Sequence, residues 1–215
     1  MKKIRSFLLA FLMILTIGTS AYAVNINVYG EQWTGAKYDF HQDDPSLDRS
    51  YDLSSNFFGF ELVARRFYFG AENGVLGSVQ YSSNDQTLDI TDLKFGCRVV
   101  KNDVCTLDIF NGFLIMDGIK SYYAEDDVYA SITLGGNLDF NIADRVLLHG
   151  SCELPLAGYI VAYNIKAGLL LAPHFAITAG YRGYEIVDDD YDNYYYNEST
   201  TSRLRGLTMG MELKF

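Results

Sequence analysis

Three polar side chains at alternate positions form the arrangement in this sequence that most resembles catalytic machinery. His149, Ser151 and Glu153 are separated by Gly150 and Cys152, so a β-strand would place all three on one face. An imidazole beside a serine hydroxyl can take its proton and make it a nucleophile, and a carboxylate can orient the imidazole. The same alternation also arises from a plain interior hydrogen-bond network, which is the interpretation we favour.

An acidic, tyrosine-rich segment near 187–202 is the second candidate for chemistry. Its carboxylates are candidate calcium ligands because Ca²⁺ prefers oxygen donors, and they belong to Asp188, Asp189, Asp190 and Asp192. The segment lacks the glycine and the terminal glutamate of an EF-hand loop, so a solvated acidic loop is favoured, and no metal or cofactor is expected. Its tyrosines would make a good binding surface for an extracellular ligand.

Two of the three cysteines flank a predicted turn at 100–103. Cys97 and Cys105 would then lie on the same outward face of adjacent strands. They can form a cross-strand disulfide only if the hairpin register places them opposite each other, and two free thiols are the favoured alternative. Cys152 has no partner and is expected to fill apolar space.

The start of the chain predicts export. A basic beginning, an apolar run from 7 to 17 and a small-x-small ending at Ala23 are typical of a secretory signal peptide. The run is shorter than the roughly 20 residues that span a bilayer, so we expect cleavage after Ala23 and a single domain over 24–215. Cleavage removes three basic residues and no acidic one, which takes the formal charge from −10 to −13. No nucleic-acid partner is implied by so acidic a chain.

The rest of the chain shows the pattern of short β-strands. Apolar residues alternate with polar ones in ten segments, and no stretch reaches the 18 uninterrupted apolar residues of a transmembrane helix. The segments lie near 25–38, 57–70, 75–82, 87–99, 104–116, 128–140, 145–154, 160–172, 174–186 and 203–215. Ten strands are favoured and eight are the alternative, and either even number places both termini on the periplasmic side of a membrane barrel.

Short and long connections alternate along the chain. Short turns are predicted at 71–74, 100–103, 141–144 and 172–173. Longer polar connections are predicted at 39–56, 117–127 and 187–202, with shorter links near 83–86 and 155–159. Membrane barrels have this order of short periplasmic turns and longer external loops.

One face of most strands is apolar, and the opposite face collects charges of both signs. We predict a lumen charge network of Glu61, Arg65, Asp92, Lys94, Arg98, Asp108, Asp139, Arg145, Lys166, Arg182 and Glu212. A ten-stranded barrel is narrow and an unpaired charge inside it is costly, so these groups should form a salt-bridged plug. Two residues fit less well: Trp33 shares a charged face, and Arg66 falls on an apolar one. A β-bulge, or an interfacial position for Arg66, would reconcile them.

The final strand alternates apolar and polar residues and ends on Phe215. Together with the other alternating strands, it resembles the small outer-membrane β-barrel proteins of the porin-like superfamily. The resemblance implies an up-and-down antiparallel transmembrane barrel in contact with outer-membrane lipid and lipopolysaccharide. It also implies that Phe215 is read as an assembly signal by the barrel-assembly machinery.

Two further resemblances concern enzymes of the outer membrane. The residues His149 and Ser151 resemble the His-x-Ser of the lipid A deacylase family, which implies cleavage of an acyl ester. Ten strands also resemble the omptin proteases, whose sites contain Asp and His residues on the loop side. Neither His41 nor His174 lies in a matching motif, so the omptin resemblance is one of architecture alone.

These observations favour a non-enzymatic outer-membrane barrel that stabilises the envelope or binds through its loops. A narrow porin-like channel with a charged lumen is the first alternative, and an acyl-ester hydrolase acting on lipid A is another. A soluble periplasmic lipocalin-like lipid carrier would show the same periodicity with its apolar face inward. Periodicity alone does not distinguish the two barrels; the terminal Phe215, the order of the loops and the charged faces favour the membrane.

Overall fold

The fold is a closed barrel of ten antiparallel strands, and its computed structural model describes residues 24–41, 49–81, 84–119, 127–189 and 199–215. The strands are β1 (Val24–His41), β2 (Arg49–Ala64), β3 (Phe67–Tyr81), β4 (Asn84–Lys101), β5 (Cys105–Ile119), β6 (Asp127–Ala143), β7 (Val146–Ala157), β8 (Ile160–Ala172), β9 (Phe175–Asp189) and β10 (Ser199–Lys214). Each strand pairs with the next, and β1 pairs with β10. The prediction of a ten-stranded up-and-down barrel is confirmed. No helix of the described residues is long and apolar enough to cross a membrane.

The barrel has two different ends. At one end, which we call the terminal end, short turns join the strands at 65–66, 102–104, 144–145 and 173–174. The other, the loop end, has the connections 42–48, 82–83, 120–126, 158–159 and 190–198. Backbone hydrogen bonds close the barrel at the terminal end, from Ile26 N to Phe215 O at 3.0 Å and from Phe215 N to Ile26 O at 2.8 Å. The predicted signal peptide, 1–23, lies outside the described residues.

The β2–β3 hairpin differs from its prediction. The segment 71–74 was expected to be a turn because it contains Asn73-Gly74, but it lies inside β3, and the turn is at 65–66. Gly74 instead makes room for an aromatic ring. It is paired with Phe57 in the neighbouring strand, and a Cβ atom on Gly74 would overlap the Phe57 ring. The strand predictions 57–70 and 75–82 were therefore wrong in their bounds, and the loop predicted at 39–56 is shorter because β2 begins at Arg49.

The two misfits of the sequence analysis have structural explanations. In β1 the register shifts between Trp33 and Lys37, and Gly35 has a φ of 60°. Trp33 lies in the interior on the same face as Glu31, as alternation requires. The bulge after Trp33 brings Ala36 into the interior as well, where both belong to one buried cluster. Arg66 is not in a strand but in the turn before β3, so it does not face lipid as a strand residue would.

The outer face of the barrel carries a broad belt of exposed apolar side chains. Its members include Phe58, Phe67, Phe95, Phe113, Ile132, Leu134, Leu154, Ile165, Leu169, Leu171, Ile177, Leu207, Met209, Met211 and Leu213. A soluble lipocalin-like barrel needs a polar exterior, whereas an apolar exterior suits the hydrocarbon of a bilayer. Charged side chains of the same strands point inward, as the alternation of a strand requires.

Candidate functional site

The lumen is the candidate functional site, and its loop-end half is filled by an apolar plug. The plug consists of Trp33, Ala36, Tyr38, Leu53, Phe57, Leu88, Ile90, Leu114, Met116, Ile160, Ala162, Tyr184, Ile186 and Leu204. These residues come from seven strands around the barrel and alternate with outward-facing residues. Trp33 and Phe57 lie at the middle of their strands, and the others lie in the half nearest the loop end. This half of the lumen therefore has the character of a protein core.

Aromatic rings cross the lumen within the plug. The Trp33 ring meets Phe57 edge-on, with centroids 5.2 Å apart, and meets Tyr184 at 6.0 Å. Phe57 and Tyr184 stack at 6.4 Å although they belong to β2 and β9, which are not neighbours in the barrel. Edge-on and stacked pairs at these distances are favourable beyond their buried area. These rings therefore join strands of the barrel that are not hydrogen-bonded neighbours.

Below the plug lies a central charge network, and its first part joins four strands. Arg182 of β9 makes a bidentate pair with Glu72 of β3, at 2.7 and 2.8 Å, and its second nitrogen lies 3.3 Å from Glu31 of β1. Lys166 of β8 donates to the other oxygen of Glu31 at 2.8 Å. Tyr29 also donates to Glu72, at 2.9 Å. Charge-assisted bidentate pairs such as these hold both partners in a fixed geometry.

A second part of the central charge network is built around Lys94. Its ammonium contacts Asp92 at 2.9 Å and Glu153 at 2.7 Å, and it lies 5.1 Å from the centroid of the Phe110 ring. The Thr133 hydroxyl donates to the second oxygen of Glu153 at 2.9 Å. One cation thus forms ion pairs with two buried carboxylates.

A terminal cavity of about 400 Å³ lies between the central charge network and the terminal end. Its wall includes Arg98, which makes a bidentate pair with Asp108 at 2.8 and 3.0 Å. Glu61 also lines it and accepts hydrogen bonds from Tyr68 and Asn27, both at 3.1 Å. The volume is in the range of small-molecule pockets, but the wall mixes charges of both signs, and most of them already have a partner.

The three catalytic candidates lie on one interior face of β7, but each has a different environment. His149 Nδ1 is 2.7 Å from Asp139 Oδ1 in the terminal cavity. Glu153 is bound to Lys94, and Ser151 lines a separate small cavity of about 20 Å³. No hydrogen bond connects His149, Ser151 and Glu153 to one another in the described part of the chain. The geometry for activating a serine hydroxyl is therefore absent from these residues.

Most charges assigned to the lumen from the sequence lie inside the barrel. They are Glu61, Asp92, Lys94, Arg98, Asp108, Asp139, Lys166, Arg182 and Glu212. Arg65 and Arg145 instead lie exposed in turns of the terminal end. Sequence reasoning missed two members of the central charge network. Glu72 fell in the segment expected to be a turn, and Glu31 shares its face with Trp33, whose position was treated as a misfit.

The cysteine register excludes the proposed disulfide geometry. Cys97 is paired across the hairpin with Ile109, and Cys105 is paired with Phe140 of β6. Both thiols are free, as is that of Cys152. The two cysteines are offset along the strands, because the short turn between β4 and β5 places Cys105 at the very start of its strand.

The calcium candidates fall at the edge of the described chain. Asp190 and Asp192 lie outside the described residues, while Asp188 and Asp189 form the end of β9. Among the residues that are described, no group of three or more His, Cys, Asp and Glu side chains is arranged to hold a metal ion.

Comparison with known proteins gives similarity in fold alone. No family model and no curated protein matches the chain. The outer-membrane protease OmpT from Escherichia coli superposes with a TM-score of 0.56 at 9% identity, over 92% of this chain and 99% of that one. Neisserial surface protein A gives a TM-score of 0.44 at 14% identity, over 88% of this chain and 97% of that one. Ail of Yersinia pestis gives a TM-score of 0.40 at 10% identity, over 91% of this chain and 100% of that one. The chain has the fold of outer-membrane β-barrel proteins.

Proposed function

We propose that this protein is a non-enzymatic scaffold of the outer membrane, sealed against the passage of solutes, that displays its longer loops outside the cell. The apolar belt would contact outer-membrane lipid and lipopolysaccharide. The short turns and both termini would face the periplasm, as in other barrels of this fold. Phe215, which lies at the closing seam of the barrel, would be the signal for the barrel-assembly machinery.

The observation that carries this proposal is the apolar plug. A conducting lumen needs a continuous polar path, because water and ions leave narrow apolar constrictions. Trp33, Phe57 and Leu114 are almost completely buried inside the barrel, and their neighbours come from opposite walls. A permeating ion would have to displace this core. The charged residues that suggested a channel lie below the plug and bind one another.

Catalysis is not supported by the arrangement of the candidate residues. An acyl-ester hydrolase would need a base beside Ser151, and His149 is held by Asp139 instead. The omptin resemblance implies Asp and His at the loop side, whereas this Asp–His pair lies in the terminal cavity. We therefore assign the biological role to the loops and the outer surface, with loop-mediated binding or adhesion and envelope stabilisation as its two aspects.

Conductance in planar lipid bilayers tests the seal. The wild-type barrel should give no stable current steps, and the double variant Trp33→Ala/Phe57→Ala should give them, because removal of both rings opens the centre of the plug. Ile165→Ala, which shortens an exposed residue of the outer belt, is the control and should give no current steps. Stable current steps from the wild-type protein would instead support the narrow porin-like channel.

Replacement of residues 190–198 tests the role of the loops. This segment is acidic and rich in tyrosine, so it should bind cationic extracellular ligands by charge and by aromatic contact. We expect a Gly/Ser segment of equal length to abolish binding of intact cells to immobilised basic polymers and matrix proteins, with the amount of folded barrel unchanged. Unchanged binding would remove this loop from the proposal.

A further inference from the structure

Lys94 is shared by two carboxylates that are both deeply buried. Asp92 and Glu153 are each only 2% exposed, and both contact the same ammonium group, at 2.9 and 2.7 Å. One positive charge cannot neutralise two carboxylates, and two such groups held together in a poorly hydrated interior do not both stay ionised without compensation. The site around Lys94 therefore contains one uncompensated negative charge.

The neighbouring cations cannot supply the missing charge. Arg182 is bound by both oxygens of Glu72 and approaches Glu31, and Lys166 is bound to Glu31. These two cations and two carboxylates balance one another. The other titratable groups that face this region are hydroxyls, and they belong to Tyr29, Tyr68, Tyr163 and Tyr184. The excess charge thus belongs to the pair Asp92 and Glu153.

A small cavity adjoins this pair. It has a volume of about 20 Å³, and its lining includes Asp92, Ser151 and Asn164. Lys94 and Arg182 also line it, and both are already bound to carboxylates. Asp92 Oδ1 and Asn164 Oδ1 are both buried without a hydrogen-bond partner, and Asn164 is only 8% exposed. A space of this size holds one water molecule or one small ion. The two oxygen acceptors beside the cavity have no partner, and a hydrogen-bond donor or a cation in the cavity would offset the cost of burying them.

We propose that Asp92 and Asn164 form a binding site for one small monovalent cation, a sodium ion or a proton. The charge of the occupant follows from the single uncompensated carboxylate. Asp92 Oδ2 already contacts Lys94, so Oδ1 is the free oxygen of this group. A divalent ion would require further carboxylates, and those of Glu72 and Glu153 are already bound. A neutral amide oxygen and one carboxylate oxygen suit an ion of single charge.

Thermal unfolding of the full barrel in detergent tests this site and identifies its occupant. Unfolding is followed by the loss of the faster gel mobility of the folded form. If the occupant is sodium, sodium chloride should raise the unfolding temperature of the wild type by about 3 °C or more over choline chloride at equal ionic strength. If the occupant is a proton, the two salts should act alike, and lowering the pH from 8 to 6 should give the rise.

Variants decide whether the response arises at this site. Asp92→Asn and Glu153→Gln each leave Lys94 with one carboxylate, so either variant should lose the response to the cation. Asp108→Asn is the control: it lowers the unfolding temperature because Arg98 loses its partner, but it should keep the response. A wild type that responds to neither cation overturns the proposal, and so does an unchanged response in both site variants.

Discussion

The apolar plug and the central charge network fill neighbouring parts of one lumen, but their stability depends on their residues in different ways. A plug residue such as Leu114 packs against whatever apolar atoms surround it, so truncation removes contacts and leaves a cavity. A residue of the network such as Arg182 matters through particular partners. Its removal leaves Glu72 as a buried charge without a cation and Glu31 with Lys166 alone, which costs more than the lost contact itself.

The two regions meet at one place, and there they support each other. The guanidinium of Arg182 lies 4.5 Å from the centroid of the Phe57 ring, and the Tyr184 hydroxyl lies 3.5 Å from Glu72 Oε1. The plug keeps water away from the ion pairs, which strengthens them, and the guanidinium gains a cation–π contact with the plug. A loss of plug packing should therefore weaken the network as well.

The largest effect should come from Arg182→Met. The variant keeps most of the side-chain volume but leaves Glu72 and Glu31 without their shared cation. We expect the free energy of unfolding to fall by about 3–5 kcal/mol, measured by urea unfolding of the barrel in lipid vesicles.

Arg203→Met is the matched control for the network. Arg203 pairs with Glu185 at 2.8 Å, but its side chain is 43% exposed. Exposed pairs contribute about 0.2–1 kcal/mol at most, so this variant should change stability little. If Arg182→Met costs no more than Arg203→Met, the interior is hydrated enough to screen its charges, and the contrast between plug and network disappears.

The architecture was predictable because the exterior and the lumen impose opposite demands on alternate residues. This pattern gave the ten strands, the closed barrel and most of the lumen charges, and Arg182 and Lys166 are examples. The pattern says which face a residue occupies but not which partner it meets. The pairing of Arg182 with Glu72, and the apolar character of the upper lumen, depend on contacts between strands that are far apart in the sequence.

The errors share a physical cause: local signals were outweighed by packing. Asn73-Gly74 is favourable in a turn, yet the absence of a side chain at Gly74 is used to admit the Phe57 ring. The actual turn contains Arg65, which adopts a φ of 58° although it is not glycine. No composition rule marks such a residue as a turn, so the β2–β3 register was displaced and Glu72 was lost from the site.

A smaller effect, on the plug side of the comparison, is expected from Gly74→Ala. The added methyl group would overlap the Phe57 ring, which must then move away from Trp33 and Arg182. We expect a loss of about 1–3 kcal/mol in the free energy of unfolding, typical of overpacking.

Gly150→Ala is the matched control, since a Cβ there meets no atom within 4 Å. Equal stability of both variants would mean that the ring moves without cost and that the plug is loosely packed. A loss confined to Gly74→Ala would show that the plug, like the network, depends on one specific neighbour at the level where the two regions meet.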